Sequence, residues 1–435
     1  MLFQDIVLVD EDFHIREHMY LGVKDGRIAY LADTPPADPA AFGPVYAHGE
    51  GKLFIPGFIN AHSHAPMHLL RGYGENLRLN EWLNQRIFPF EDQLTPEDIY
   101  WSCLLGAGEM LRFGIVSTSD MYMRGEALAR GFADSGIKAN VSLGCTCFDQ
   151  RSYRELPAYQ DTLDTLAAWH GYDDGRILVD FSLHGEYTSS EKVARGVAEA
   201  AWENGRGVHV HVAETKEETQ GCYERHGMSP VAYLAACGLF DGPAIAAHSI
   251  YIDQADIEIY KEKEVTVATC PKSNLKLASG ICPAAQLLAA GVNLALGTDS
   301  VASNNNLNML EEMKTFALLH KGVSGDPTLI TPAQALYAAT RAGAVAQGRA
   351  DCGALKLGNR ADIVAVDMQQ LYWRPAHNLL HNLLYAAVGS DVYMTMVDGK
   401  IRYENGAFMD FDRERADYEA ERARQRIVAC LAAKG

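Results

Sequence analysis

LFIPGFINAHSH, residues 53–64, is an apolar run that closes on two histidines set two positions apart. Its length and its β-branched and aromatic content read as a buried strand, and strand alternation turns His62 and His64 to the same side. Seven runs of the same character follow: GIVSTSDMY (114–122), KANVSLGC (138–145), ILVDFSLHGEY (177–187), GVHVHVAET (207–215), PAIAAHSIY (243–251), VTVATCPKSN (265–274) and VNLALGTDS (292–300). Amphipathic helical stretches lie between them, such as PEDIYWSCLLGAGEMLRFG, SSEKVARGVAEAAWENG and SPVAYLAACG, each ending on a glycine stop. Strands alternating with helices build a parallel sheet, and eight such units predict an α/β fold, a (β/α)8 TIM barrel.

The chain has 435 residues, more than the roughly 250 of one barrel. Residues 2–10 (LFQDIVLVD), 19–32 and 44–55 read as strands and turns, and 361–367 (ADIVAVD) with 392–408 (VYMTMVDGKIRYENGAF) resume that texture. Both chain ends are therefore expected to combine into one small β-sandwich domain. The expected organisation is a β-sandwich part over 1–55, the barrel over 56–358, the rest of the sandwich over 359–410 and a C-terminal helix over 411–435. TPAQALYAATRAGAVAQG (331–348) reads as one last helix, with Thr331 as N-cap and Pro332 in its first position. The charged tail reads as an amphipathic helix with a solvated face.

Composition narrows the function classes. At 48% hydrophobic and 22% charged residues the chain is an ordinary globular one. The 38 Lys+Arg against 56 Asp+Glu give a net charge of −18, which opposes binding to nucleic acid or an anionic membrane. No apolar run of about 18 residues occurs, and the first residues lack a signal peptide's basic and apolar regions, so a cytoplasmic protein is expected. The nine Cys form no CxxC pair and are expected to be reduced core residues.

Fifteen His are present, and their placement at strand ends carries the chemistry. His62 and His64 end the first barrel strand, His209 and His211 repeat the spacing on the fifth, His248 ends the sixth and Asp299 ends the eighth. Barrel enzymes keep their chemistry at that end of the strands. Either HxH pair alone would be an ordinary coincidence; two pairs with a further His and Asp at two more strand ends read as one metal site. Three neutral imidazoles and a carboxylate suit zinc, with iron as the other fit, and leave a position open for water. His209 lies deeper than His211 and reads as a core or supporting residue.

PGFINAHSHAPMHLLRG, HVHVAET, AAHSIY, CPKSNLKLASG and GTDSVASNNNLNMLEEM, in this order, closely resemble the amidohydrolase superfamily. Within it the likeness is to the nucleobase and nucleoside deaminases, in particular those acting on 5-methylthioadenosine and S-adenosylhomocysteine, relatives of the triazine chlorohydrolases and guanine deaminases. The resemblance spans about residues 50–408 and implies one metal per subunit, held by His62, His64, His211 and Asp299, with Glu214 and His248 acting on water and substrate. A divalent metal lowers the pKa of bound water toward neutrality. Asp299 is then expected to orient the attacking hydroxide and take its proton, His248 to hydrogen-bond it, and Glu214 to carry a proton to the ring nitrogen and the leaving ammonia. No Lys stands at the C-terminal end of a middle strand, where two-metal members of the superfamily usually place their bridging Lys; Lys138 begins its strand.

The resemblance also implies a lid over residues 71–95, with Glu91 on the ribose hydroxyls, His184 against substrate and Trp82, Ile87 and Phe88 as apolar contacts. The expected reaction is hydrolytic deamination of adenosine, 5′-deoxyadenosine, 5′-methylthioadenosine or S-adenosylhomocysteine to the inosine analogue. The alternative is a deaminase or chlorohydrolase of another heteroaromatic such as guanine, a pterin or a triazine. Homologues that grip the homocysteine carboxylate use an Arg late in the third strand, where this chain has Leu143; Arg151 or Arg154 in the next loop are the expected substitutes. A small nucleoside is the expected partner, and the family habit is a homo-oligomer.

Overall fold

The structure, a computed structural model, describes residues 1–433. Among the described residues sixteen strands, labelled in chain order, form two eight-stranded sheets. Strands β1 (Leu2–Val9), β2 (Ile15–Lys24), β3 (Arg27–Ala32) and β4 (Lys52–Pro56) precede the barrel strands. The barrel strands are β5 (Phe58–Ser63), β6 (Ile115–Tyr122), β7 (Lys138–Leu143), β8 (Ile177–Gly185), β9 (Val208–Val212), β10 (Ala244–His248), β11 (Thr266–Thr269) and β12 (Leu294–Leu296). Strands β13 (Ile363–Asp367), β14 (Val392–Val397), β15 (Lys400–Glu404) and β16 (Ala407–Phe408) follow.

The strands of the two chain ends join one sheet in the order β16-β15-β14-β13-β4-β1-β2-β3. Its pairs are antiparallel except β1 with β4, where Val7 and Leu8 run parallel to Leu53 and Phe54. Phe3, Ile6, Leu21, Phe54, Ile363, Ala365 and Met394 form its core. The compact unit built around it comprises Met1–Asn60, Gly108–Ser117 and Asn308–Phe411.

The second sheet runs β12-β11-β10-β9-β8-β7-β6-β5. Its pairs from β7 to β12 are parallel. A parallel bridge between Ser63 and Asp299 brings the last strand back to the first, and the Asp299 N–H donates to the His62 carbonyl at 3.0 Å. This is the expected (β/α)8 barrel. Helices cover it for the reason their sequences give: in Glu191–Glu203, Val193, Ala194, Val197, Ala198 and Ala201 form one buried stripe. The Ser190 hydroxyl accepts from the Val193 N–H at the start of that helix, and Gly205 follows its end at φ 62. The unit containing most of the barrel comprises Ala61–Ala107, Thr118–Leu307 and Asp412–Gly435, its last helix being Arg413–Ala432.

Three expectations need correction. The run 53–64 is two strands: β4 ends at Pro56 and β5 begins at Phe58, in different sheets. Gly57 stands at the break, where an added Cβ would lie 2.3 Å from Val116 Cγ1. Gly57→Ala is expected to cost about 1–3 kcal/mol by overpacking, read as a lower denaturant midpoint. The helix expected over 331–348 is Pro332–Ala339 and Arg341–Ala346, broken at Thr340 (φ −132, ψ −84), whose hydroxyl donates to the Leu336 carbonyl at 2.6 Å. Thr331 and Pro332 do start it, in a capping box with Gln334. Eight of the nine cysteines are buried, but Cys430 is exposed on the C-terminal helix. Among the described residues no helix is long and apolar enough to cross a membrane.

Candidate active site

Each site residue sits where a barrel strand ends. His62 lies on β5 and His64 directly follows it, His211 lies on β9, His248 ends β10 and Asp299 follows β12. The backbone turns sharply at three of these ends, with positive φ at Ala213 (49°), His248 (69°) and Asp299 (57°). Left-handed conformations of non-glycine residues cost about 1–3 kcal/mol each and gather at functional sites.

The ligand-type atoms of His62, His64 and His211 lie within 4.8 Å of one another, as do those of His62, His248 and Asp299. The two groups share His62 and so are parts of one site. Asp299 Oδ1 is 3.4 Å from His64 Nε2 and 3.6 Å from His62 Nε2, and His64 Nε2 is 3.3 Å from His211 Nε2. The opposite ring nitrogens are engaged elsewhere. His64 Nδ1–H donates to the Met121 carbonyl (2.5 Å) and His211 Nδ1–H to the His184 carbonyl (2.6 Å), while His62 Nδ1 pairs with His209 Nε2 (2.9 Å). Fixing Nδ1 in this way presents Nε2 as the lone-pair donor, as in established metal sites. Three imidazoles and one carboxylate converging on one point therefore fit a divalent cation.

Electrostatics agree with that donor set. Burial pulls the His62 imidazole down to about 3 and also lowers His211 and His209, so all three are neutral. Burial alone would raise Asp299, but the neighbouring imidazoles outweigh it and hold the carboxyl well below its usual range. Asp299 Oδ2 accepts from the Ser273 hydroxyl (2.5 Å) and the Ser303 hydroxyl (2.9 Å), and Oδ1 from the Ser300 N–H (2.8 Å).

Glu214 Oε2 lies 3.8 Å from His248 Nε2, and its Oε1 accepts from Ser279 Oγ at 3.4 Å. Burial raises the Glu214 carboxyl, with His248 acting in the opposite sense. Its backbone is held by Glu218, whose two oxygens accept the Ala213 and Glu214 N–H groups at 2.9 and 2.8 Å. His248 Nδ1 is hydrogen-bonded to Asn274 Oδ1 at 2.9 Å.

A cavity of about 550 Å³ adjoins this constellation, lined by His64, His184, His211, Glu214, His248 and Asp299 and also by Trp82, Ile87, Phe88, Glu91 and Tyr122. Burial pushes the Glu91 carboxyl up to about 7 although the Tyr122 hydroxyl donates to it at 2.7 Å. Trp82 is buried, and among the described residues its indole N–H meets no acceptor. Every site residue expected from the sequence thus borders the cavity or the ligand cluster. Arg151 and Arg154 do not: Arg151 pairs with Asp149 and Arg154 with Glu203, both on exposed surface, so neither substitutes for the Arg missing at Leu143. Tyr122, Ser273, Asn274, Ser303 and Glu218 were not foreseen. Tyr122 ends β6, a strand-end position that could have marked it.

A model of the amidohydrolase family matches residues 53–402. The 5-methylthioadenosine/S-adenosylhomocysteine deaminase of Pelotomaculum thermopropionicum is 41% identical over 380 residues, 87% of each chain. The 5′-deoxyadenosine deaminase of Methanosarcina acetivorans is 37% identical over 424 residues, 98% of this chain and 97% of its own. The crystal structure of an adenosine deaminase from Xanthomonas campestris with bound zinc superposes with a TM-score of 0.91 at 33% identity, covering 98% of each chain.

Proposed function

The chain belongs to the amidohydrolase family, and from that membership we propose that it is a zinc-dependent hydrolytic deaminase of an adenosine-type nucleoside. The observation that carries the reading is one cavity lined by His64, His211 and Asp299 of the ligand cluster, by the Glu214 carboxyl, which burial raises, and by a second carboxyl at Glu91. His62, His64, His211 and Asp299 would hold one cation per chain. When bound there, a divalent cation supplies Lewis acidity that draws water toward ionisation at neutral pH.

The chain's own residues do the rest. Asp299 accepts a proton from the water that attacks the amino-bearing ring carbon, and His248 hydrogen-bonds that water and steadies its developing charge. Glu214 delivers a proton to the ring nitrogen as the C–O bond forms. The C–N bond then breaks, the leaving amine takes up a proton and departs as ammonia, and the inosine analogue remains. Trp82, Ile87 and Phe88 offer apolar surface to the base, and the Trp82 N–H is a buried donor for one of its acceptors. His184 borders the substrate side of the ligand cluster. Glu91, with two oxygens, suits a cis-diol, and the candidate substrates are adenosine, 5′-deoxyadenosine, 5′-methylthioadenosine and S-adenosylhomocysteine.

Ammonia release from zinc-loaded protein given these nucleosides, guanine and cytosine tests the reading. Activity confined to free bases would favour another heteroaromatic substrate. Glu91 adds a pH signature. Its carboxyl is raised to about 7, so below that pH a proton occupies an oxygen that the diol needs, and above it both oxygens accept. KM for a ribonucleoside is expected to fall by about tenfold between pH 6 and 8, while a 2′,3′-dideoxy analogue loses that dependence.

A further inference from the structure

Glu218 stands four residues beyond Glu214, in the first turn of the helix Lys216–His226. The sequence TKEE (215–218) has the form of a capping box, in which the acid three residues past the cap returns to the cap's own backbone N–H. Half of that box forms: the Thr215 hydroxyl accepts the Glu218 N–H at 3.1 Å. The Glu218 carboxylate reaches past the cap instead, Oε1 to the Ala213 N–H at 2.9 Å and Oε2 to the Glu214 N–H at 2.8 Å. Both donors belong to the turn that follows β9, where Ala213 is left-handed at φ 49. The Ala213 carbonyl accepts from the Ile250 and Tyr251 N–H groups, each at 3.0 Å. The peptide group between Ala213 and Glu214 is therefore held at both its carbonyl and its N–H.

Glu218 is buried, and among the described residues the cavity is lined by Glu214 but not by Glu218. It therefore acts on a substrate only through what it holds. Burying a carboxylate is costly unless its oxygens are paired, and here each oxygen takes one backbone N–H. A neutral amide could accept at one position only and would set its NH2 against the other N–H. The helix that carries Glu218 is fixed at its far end as well. Arg225 donates to Glu186 through Nε (3.0 Å) and Nη2 (2.6 Å), and His226 Nε2 meets the same carboxylate at 2.9 Å. Glu186 is buried and lies two residues beyond His184, whose carbonyl accepts from His211 Nδ1. One helix thus joins the end of β8 to the turn that carries Glu214.

We propose that Glu218 is a positioning residue: by holding the peptide before Glu214 it keeps that carboxyl aimed at the ring nitrogen and the leaving amine. The inference rests on the proton-transfer role given to Glu214 above. It is tested by a double-mutant cycle with Glu214→Gln, following ammonia release from zinc-loaded protein given adenosine or 5′-methylthioadenosine. The assay is run at pH 8, above the value of about 7 to which burial and the Glu214 charge raise Glu218. Glu218→Gln is expected to lower kcat about 30-fold, with KM changed by less than about twofold and one metal per chain. In the Glu214→Gln background the same change is expected to cost less than about threefold, because the group it positions is already gone. Glu218→Asp, which keeps the charge but not the reach, runs through the same cycle and decides the matter should the amide variant fail to fold. Equal losses in the two backgrounds, or full kcat in Glu218→Gln, overturn the inference and leave the nucleoside reading standing. Undiminished turnover by Glu214→Gln, or silence of the wild type toward both nucleosides, overturns the earlier reading and this inference with it.

Discussion

Glu214→Gln is expected to lower kcat for deamination by about 10³-fold while the protein keeps its metal content. The substitution retains the shape of the side chain and an oxygen for the Ser279 hydroxyl, which lies 3.4 Å from Oε1. It removes the proton. Burial raises the Glu214 carboxyl, so the acid form persists to higher pH than in water and is available to a ring nitrogen. An amide cannot give that proton up or take the next one. Glu214 is not among the clustered ligand groups, so zinc stoichiometry by elemental analysis should be unchanged. KM should move little, because the purine's apolar contacts and the Glu91 carboxyl are untouched. A Glu214→Gln protein with one metal per chain and full ammonia release would refute the proton-transfer role.

The strand ends made this site legible from sequence. His62 and His64, two apart at the end of an apolar run, could point only to one side, and the same spacing at His209 and His211 put a second pair on another strand. Depth along that strand separates the two: His209 lies behind His62, bonded to its Nδ1, while His211 Nε2 faces His64. Less legible were residues whose partners are remote in the chain. Tyr122 meets Glu91 across 31 positions, and Asn274 meets His248 across 26; no local period encodes such pairs. The fold showed the same limit at Gly57, where a continuous apolar run hid both a change of sheet and the close approach of Val116. Arg151 and Arg154 misled for the converse reason. Their charge suited the task, but acids close to them in the fold had already paired with them.

Asp299→Asn is expected to reduce turnover by about 10³-fold and to leave less than one metal per chain after dialysis, read by elemental analysis beside ammonia release. Asp299 is the one carboxylate among the four proposed ligands, and its ionised state is built in. Burial favours the neutral acid, yet the imidazoles around it hold the carboxyl well below its usual range. Both oxygens also receive donors, Oδ2 from the Ser273 and Ser303 hydroxyls and Oδ1 from the Ser300 N–H. An amide can meet these donors in one orientation only. With its oxygen at Oδ1 it keeps the Ser300 contact and turns its NH2 toward two hydroxyls, which can rotate to accept; with its oxygen at Oδ2 it sets donor against donor at Ser300. In either orientation the negative charge is gone, and with it the base for the attacking water. Ser303→Ala separates charge from orientation: it keeps the carboxylate and deletes one of its donors, so a loss of about tenfold with full metal content is expected. Full turnover by metal-loaded Asp299→Asn would remove Asp299 from the proton path, and equal losses in the two variants would show that the hydroxyls matter as much as the charge they hold.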